Sequence, residues 1–324
     1  MTLDHHLFLL VLALALDAAI GDPDWLWRRL PHPVVMMGKL ISFLEKTLNR
    51  PDYPRAWKKE FGAVTVAAVA IGAAVAGLFI EVVFARIPYG WIGTALVAAI
   101  LLAGRSLYDH VAAVASAFET GGLAAARKAI ARIVGRDPET LDAAGVSRAA
   151  IESAAENFSD GLIAPAFWFA LLGLPGIFAY KAINTADSMI GHRSERYRDF
   201  GWAAAKLDDL VNWPAARLSG LLMALAAPFA HGSIATAFRV MVADAGKHRS
   251  PNGGWPESAT AGALGIALLG PRTYGGRLAN DPFLNAAGRQ ARPPDIRRAL
   301  NVYLGASLLF AILVLWLGIA VAVV

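Results

Sequence analysis

The sequence predicts an all-α, polytopic integral membrane protein. Three observations carry that expectation. Of 324 residues, 56% are hydrophobic and only 17% are charged, and the mean hydropathy of +0.48 lies well above that of a soluble domain. Apolar runs recur along the chain, separated by polar stretches rich in Gly and Pro. Lys and Arg gather in particular loops and are almost absent from the apolar runs, which is a topogenic pattern and not a nucleic-acid footprint. The expected architecture is one membrane-embedded domain over 1–324 with about five transmembrane helices, further broken or re-entrant segments, and cytoplasmic amphipathic helices. The chain has no cysteine, which excludes disulfides, thiolate nucleophiles and zinc–thiolate sites.

The elements follow in order. Leu7 to Ile20 is the first apolar run, and counted from Leu3 it crosses a bilayer at a tilt. Asp4 stands where a signal peptide has basic residues, so this segment is expected to stay as an anchor. Gly21-Asp22-Pro23 breaks it. Residues 21–60 carry eight Lys/Arg, which places this loop in the cytoplasm. Pro31-His32-Pro33 forces extended or turn geometry, and an amphipathic helix follows from Val34 to Leu48. Phe61 to Phe84 is the clearest span, rich in small residues suited to close packing, with Glu81 near its outer end. After a turn at Arg86–Pro88, Tyr89 to Ala103 returns, with Tyr89 and Trp91 as interfacial aromatics.

Residues 104–160 read as a cytoplasmic helical insertion. Ser106–Phe118 and Leu123–Val134 are amphipathic helices parted by Gly121-Gly122, and Gly135-Arg136-Asp137-Pro138 ends the second. Ser147 is expected to cap a third helix that runs to Asp160 and stops at Gly161. Leu162 to Ile183 is apolar but interrupted by Pro165, Gly173, Pro175 and Gly176. Trp213 to Ala230 is apolar around Arg217. Residues 104–160, 181–212 and 231–302 carry six, five and nine Lys/Arg. With basic flanks on every side, broken or re-entrant segments satisfy the charge rule better than full spans. Residues 231–302 read as a cytoplasmic segment with a short helix from Ala259 to Leu269 and a Gly/Pro/Arg-rich loop. Tyr303 to Val324 is a final, uncharged span. No strand-period alternation and no internal repeat stand out.

Chemistry concentrates in a few places. Glu152, Glu156 and Asp160 are spaced i, i+4, i+8, which on a helix is one face. Three carboxylates so placed suit Mg²⁺ or a polyphosphate complex; the plain alternative is a solvated acidic face. Lys181, Asn184 and Ser188 share a helical face with Asp187 beside them, at the mouth of a membrane segment where polar groups are usually functional; the alternative is a helix end with a snorkelling lysine. Asp208 and Asn212 are i, i+4, with Asp209 alongside, a set that suits a divalent ion or an acidic first turn before Trp213. Asp244, Lys247, His248 and Arg249 precede Ser250-Pro251-Asn252-Gly253-Gly254-Trp255-Pro256-Glu257, whose turn-forming residues can aim backbone N–H groups at a phosphate or form an ordinary loop. No Walker motif occurs. His32 is rigidly presented between prolines, and His5 and His6 read as interfacial decoration. The residues alone thus indicate a membrane enzyme handling Mg²⁺ and phosphate at its cytoplasmic face, and they do not reach a substrate.

Long motifs then resemble a known family. LDAAIGDP at 16–23, HPVVMMG at 32–38, ESAAENFSDGLIAPAFW at 152–168, YKAINTADSMIGHRSERYRDFGWAAAKLDDLVNWPAARL at 180–218 and DAGKHRSPNGGWPESATAGALG at 244–265 together resemble adenosylcobinamide-phosphate synthase, the CobD/CbiB family of cobalamin biosynthesis. His192 departs from the aromatic expected there. The resemblance implies an ATP-dependent carbon–nitrogen ligase of the inner membrane. It would join adenosylcobyric acid to (R)-1-amino-2-propanol O-phosphate or ethanolamine phosphate, with ATP and Mg²⁺. By resemblance, Glu152, Glu156, Asp160, Lys181 and Asp187 are catalytic, and Glu156, Asp160, Asp187, Asp208 and Asp209 bind metal. Asp17, Asp22, His32, Asn157, Asn184, Ser188, Asn212, Arg217, Asp244, Lys247, His248, Arg249, Ser250, Asn252 and Glu257 bind substrate. Membrane lipid, other corrinoid-assembly membrane enzymes and a second copy of the chain are allowed as partners, and nucleic acid is not. Two other readings stand beside it: an Mg²⁺-dependent membrane transferase acting on a phosphorylated substrate, and a non-catalytic membrane sensor of the AmpE type.

Overall fold

The structure is a computed structural model and describes residues 2–22, 27–29, 31–133, 138–192, 194–274 and 277–323. Pro23 and the expected stop at Gly135–Asp137 lie outside the described residues. The protein is almost wholly helical, and among the described residues five segments are long and apolar enough to cross a membrane: Leu3–Ile20, Arg55–Ala85, Gly90–Ile130, Ala143–Ile190 and Pro293–Val323. The chain forms two compact units, one of residues 1–103, 164–212 and 314–324, the other of residues 104–163 and 213–313.

The first unit contains α1 (Leu3–Ile20), α2 (Pro33–Leu48), α3 (Arg55–Ala85), α4 (Gly90–Leu101), α7 (Ala164–Ile190) and the start of α8 (Trp202–Leu225). α3 packs along α7. Gly77 allows the approach: a Cβ there would sit 2.6 Å from the Leu174 carbonyl oxygen. On its other side α3 exposes Val64, Ile71, Val75, Leu78 and Phe79, as a helix solvated by lipid does. α7 is broken at Gly173 (φ +66°), and Pro175 follows two residues on. The freed Leu174 N–H donates to Glu81 Oε2 at 2.8 Å, so a carboxylate from α3 caps the new half-helix. His6, 6% exposed, places Nε2 3.6 Å from Glu81 Oε1. The expectation of His6 as interfacial decoration is therefore corrected. The surviving interruption is the one at Gly173, because glycine alone takes that positive φ without strain.

The second unit contains α5 (Gly104–Ile130), α6 (Ala143–Asn157), α9 (Ile234–Asp244), α10 (Gly254–Leu264) and part of α11 (Pro293–Val323). Gly122 (φ +63°) divides α5 where the sequence predicted a break. Asp142, not Ser147, caps α6: its Oδ1 accepts the Gly145 N–H at 2.7 Å, while Ser147 Oγ bonds back to the Ala143 carbonyl. The chain does not stop at Gly161; it passes through a π turn, Phe158–Ile163, into α7, a wider turn of the kind found at functional sites. The predicted Ala259–Leu269 helix is displaced to α10, which ends at Gly265 in the left-handed region. Four short strands follow, β1 (Leu268–Leu269), β2 (Arg272–Tyr274), β3 (Arg277–Ala279) and β4 (Phe283–Leu284), paired antiparallel as β1 with β4 and β2 with β3. They are too short to show an alternating pattern in the sequence, which is why none was legible.

Candidate functional site

The assigned residues divide between the two units. In the first, the part of α7 beyond the Gly173 break carries Lys181, Asn184, Asp187 and Ser188, and α8 carries Asp208, Asp209 and Asn212. Asn184 Nδ2 donates to Asp208 Oδ1 at 3.3 Å, and Tyr180, itself buried, donates its hydroxyl to Asn212 Oδ1 at 2.9 Å. Asp208 is buried, and α8 is not among the segments that qualify as spans. Burial and then the neighbouring Asp187 charge push its carboxyl up to about 7, against the Asn184 and Asn212 amides, with Asp209 adding repulsion. Lys206 Nζ lies 3.9 Å from Asp209. A side chain at Gly191 would collide with the Asp187 carboxylate, so that glycine keeps the space beside it.

The loop between α1 and α2 adds a second cluster to the same unit. His32 Nδ1 accepts the Val34 N–H at 3.1 Å and so caps α2. Its Nε2 therefore carries the proton of the neutral ring and faces Asp22 at 3.9 Å. Trp27 packs edge-on against His32 with ring centroids 4.3 Å apart and donates its indole N–H to Asp22. Burial holds the imidazole below its ordinary value; the Lys181 charge works in the same direction and Asp22 opposes it. His32 is thus neutral near pH 7, with Asp22 and Lys181 in its field. Asp17 is buried one turn before α1 ends.

In the second unit Glu152 is buried, and its Oε1 accepts the Leu269 N–H at 2.7 Å. Leu269 has φ +60°, so this carboxylate steadies a strained turn. Glu156 is exposed, Asp160 lies half-buried in the π turn, and Asn157 bonds to Ser153 Oγ and carbonyl. The three carboxylates therefore do not act as one stripe, because the first is turned into the core of the unit.

Arg217 is held between two indoles, its guanidinium carbon 4.4 Å from the Trp213 ring centre and 4.8 Å from that of Trp255. One terminal nitrogen donates to Asn252 Oδ1 at 2.9 Å and to the Trp213 carbonyl at 3.0 Å. Burial lowers its pKa, but a guanidinium stays charged at neutral pH. In the same unit, Lys247 pairs with Asp244 at 2.6 Å and Arg249 with Asp281 at 2.5 Å. Asp244 Oδ2 also accepts the Asn285 N–H. His248 Nδ1 accepts the Ser250 N–H, which turns the Nε2 proton toward Glu257 at 3.5 Å. Ser250 Oγ accepts from both Asn252 N and Gly253 N, so two of the amides expected to face a phosphate already have a partner.

Sequence reasoning missed Tyr180, Trp213, Trp255 and Trp27. The available signal was an aromatic within one helical turn of an assigned polar residue, as Trp213 is to Arg217.

The family model described as CobD/Cbib protein matches residues 10–303. The chain is 52% identical to "Cobalamin biosynthesis protein CobD" of Rhizobium meliloti (strain 1021) over 306 residues, 93% of each chain. It is 52% identical to the protein of the same name from Brucella suis biovar 1 (strain 1330), again over 93% of each chain. It is 50% identical to that of Rhodobacter capsulatus, over 91% of this chain and 92% of the other. No solved structure matches.

Proposed function

This chain belongs to the CobD/Cbib protein family, and from that premise we propose that it is the ATP-dependent ligase of cobalamin biosynthesis. It forms an amide between a carboxylate of adenosylcobyric acid and the amine of an amino-alcohol phosphate, on the cytoplasmic face of the inner membrane. The observation that carries the reading is the buried acid–amide cluster, in which Asp208 is pushed up to about 7 by burial and Asp187.

The donor set fits Mg²⁺. Its atoms are hard oxygens, and the Asp187 and Asp209 charges both act to raise Asp208. Among the described residues no three acidic or histidine side chains converge as a ready-made metal cage. That suits an ion which characteristically takes one or two carboxylates and completes its shell with water and substrate phosphate. Within the first unit, Asp187 and Asp208 would hold it, the pair whose charges act on one another. When bound, the ion neutralises charge on the phosphoryl group being transferred.

The chain's own groups do the remaining work. Lys181 presents a cation to an anionic substrate group, and the neutral His32 beside it adds no competing charge. In the second unit, Arg217 and Asn252 supply a partly buried guanidinium and an amide bonded to it, a pairing suited to phosphate. The amine attacks as free base and sheds a proton, which a carboxylate acting as general base takes up. Detergent-purified protein given adenosylcobyric acid, each amino-alcohol phosphate, ATP and Mg²⁺ should yield the amide by mass, with one ATP consumed per product. Amide formation without ATP, or ATP turnover without product, would refute the reading.

A pH dependence follows. In metal-free protein the stability linked to the raised Asp208 pKa is complete below pH 3.8 and lost as pH rises through about 7. Mg²⁺ must displace that proton, so its affinity should strengthen about tenfold per pH unit up to about 7 and then level off. Calorimetric titration in buffers of differing ionisation enthalpy reads the released proton. A flat Mg²⁺ affinity across that range would remove Asp208 from the ligand set.

A further inference from the structure

An open groove of about 640 Å³ runs between α2 and the last turns of α7, on a different α7 face from Asn184 and Asp187. Its walls are apolar, including Val34, Phe43 and Met189, and two lysines, Lys39 and Lys46, stand along it. The lysines are seven residues apart, two helical turns or roughly 10 Å, on one side of α2. Gly38 lets the helices close at the groove floor, its Cβ position lying 3.3 Å from Met189 Sδ. Beyond the lysines α2 exposes Met36, Leu40 and Phe43, while Met37, Ile41 and Glu45 face inward.

This is the face of an interfacial helix, with apolar side chains directed into the bilayer and lysines reaching phosphate level. The connections support that placement. α2 lies between two segments able to cross the membrane, α1 ending at Ile20 and α3 starting at Arg55, so short connectors hold it near the bilayer surface. The first turn of α3 presents Trp57, 53% exposed, beside Lys58 and Lys59, the aromatic and basic markers of a cytoplasmic interface.

We propose that this groove binds an anionic phospholipid, its acyl chain along the apolar walls and its phosphate between Lys39 and Lys46. Two cations over a hydrocarbon-like trough complement a molecule carrying both features, which neither a free phosphate nor an uncharged lipid does. The proposal is independent of the ligase reading, and its test does not use activity.

Full-length protein in mild detergent is titrated with phosphatidylglycerol and, separately, with phosphatidylcholine of the same acyl chains, and bound lipid is counted by native mass spectrometry. One phosphatidylglycerol should be held roughly twentyfold more tightly than phosphatidylcholine. The preference should vanish in the K39Q/K46Q double variant. It should also vanish in Ser42→Trp, which fills the groove and keeps both lysines. Equal retention of the two lipids by the native protein overturns the proposal, as does a preference that survives either folded variant. Displacement of the lipid by inorganic phosphate overturns it in favour of a soluble-anion site. If the double variant fails to fold, the native preference and Ser42→Trp still decide.

Discussion

Asp187→Asn should lower ATP-dependent amide formation by roughly a thousandfold or more while the protein stays folded. The substitution keeps the side-chain shape and removes one negative charge from a cluster whose members repel. Repulsion from Asp187 is one of the causes that push Asp208 up to about 7, so Asp208 should fall toward its ordinary value in the variant. The melting temperature should therefore hold or rise, and the pH dependence of residual Mg²⁺ binding should move to lower pH. A purely structural role would produce the opposite pair of results, a lower melting temperature and an unmoved pH profile. Full activity in a folded Asp187→Asn protein would take this residue out of the metal site, and with it the main support for the proposed chemistry.

Arg217→Ala should weaken binding of the phosphate-bearing substrate about 30- to 100-fold, seen in KM before kcat. The guanidinium is stacked between Trp213 and Trp255 and bonded to Asn252, so its truncation removes a partly buried charge and its bond to the amide. Arg217→Lys separates the two contributions. Lysine restores a charge but has no planar face to lie between two indoles, so an intermediate loss of about tenfold is expected. Steady-state kinetics with the amino-alcohol phosphate as varied substrate give both numbers. An unaltered KM in Arg217→Ala would place the phosphate elsewhere.

Some of this was legible in the residue order. Gly122 breaks α5 and Gly173 breaks α7 where glycines signalled it, because a positive φ is a property of one residue and its two neighbours. The Asp208 and Asn212 pair also followed from helical spacing, and both are bonded from α7, by Asn184 and Tyr180. The Glu152, Glu156 and Asp160 series did not keep its apparent meaning. Equal spacing gives a common face, but it does not say that Glu152 is taken by the amide of Leu269, 117 residues away. His6 was misjudged for the same reason, since the half-helix that it and Glu81 serve begins at Leu174.

The order of residues by itself determined that the chain is helical and built to lie in a membrane, where its helices bend, and which polar groups stand out from the apolar background. Those features come from hydropathy, backbone permissiveness and periodicity, all of them local. Only the tertiary structure decided that the Glu152 carboxylate serves a distant turn. It also decided that two indoles clasp Arg217 and that Asp208 holds its proton to about 7. A buried charge takes its state from whatever surrounds it, and those neighbours come from stretches of chain that meet only on folding.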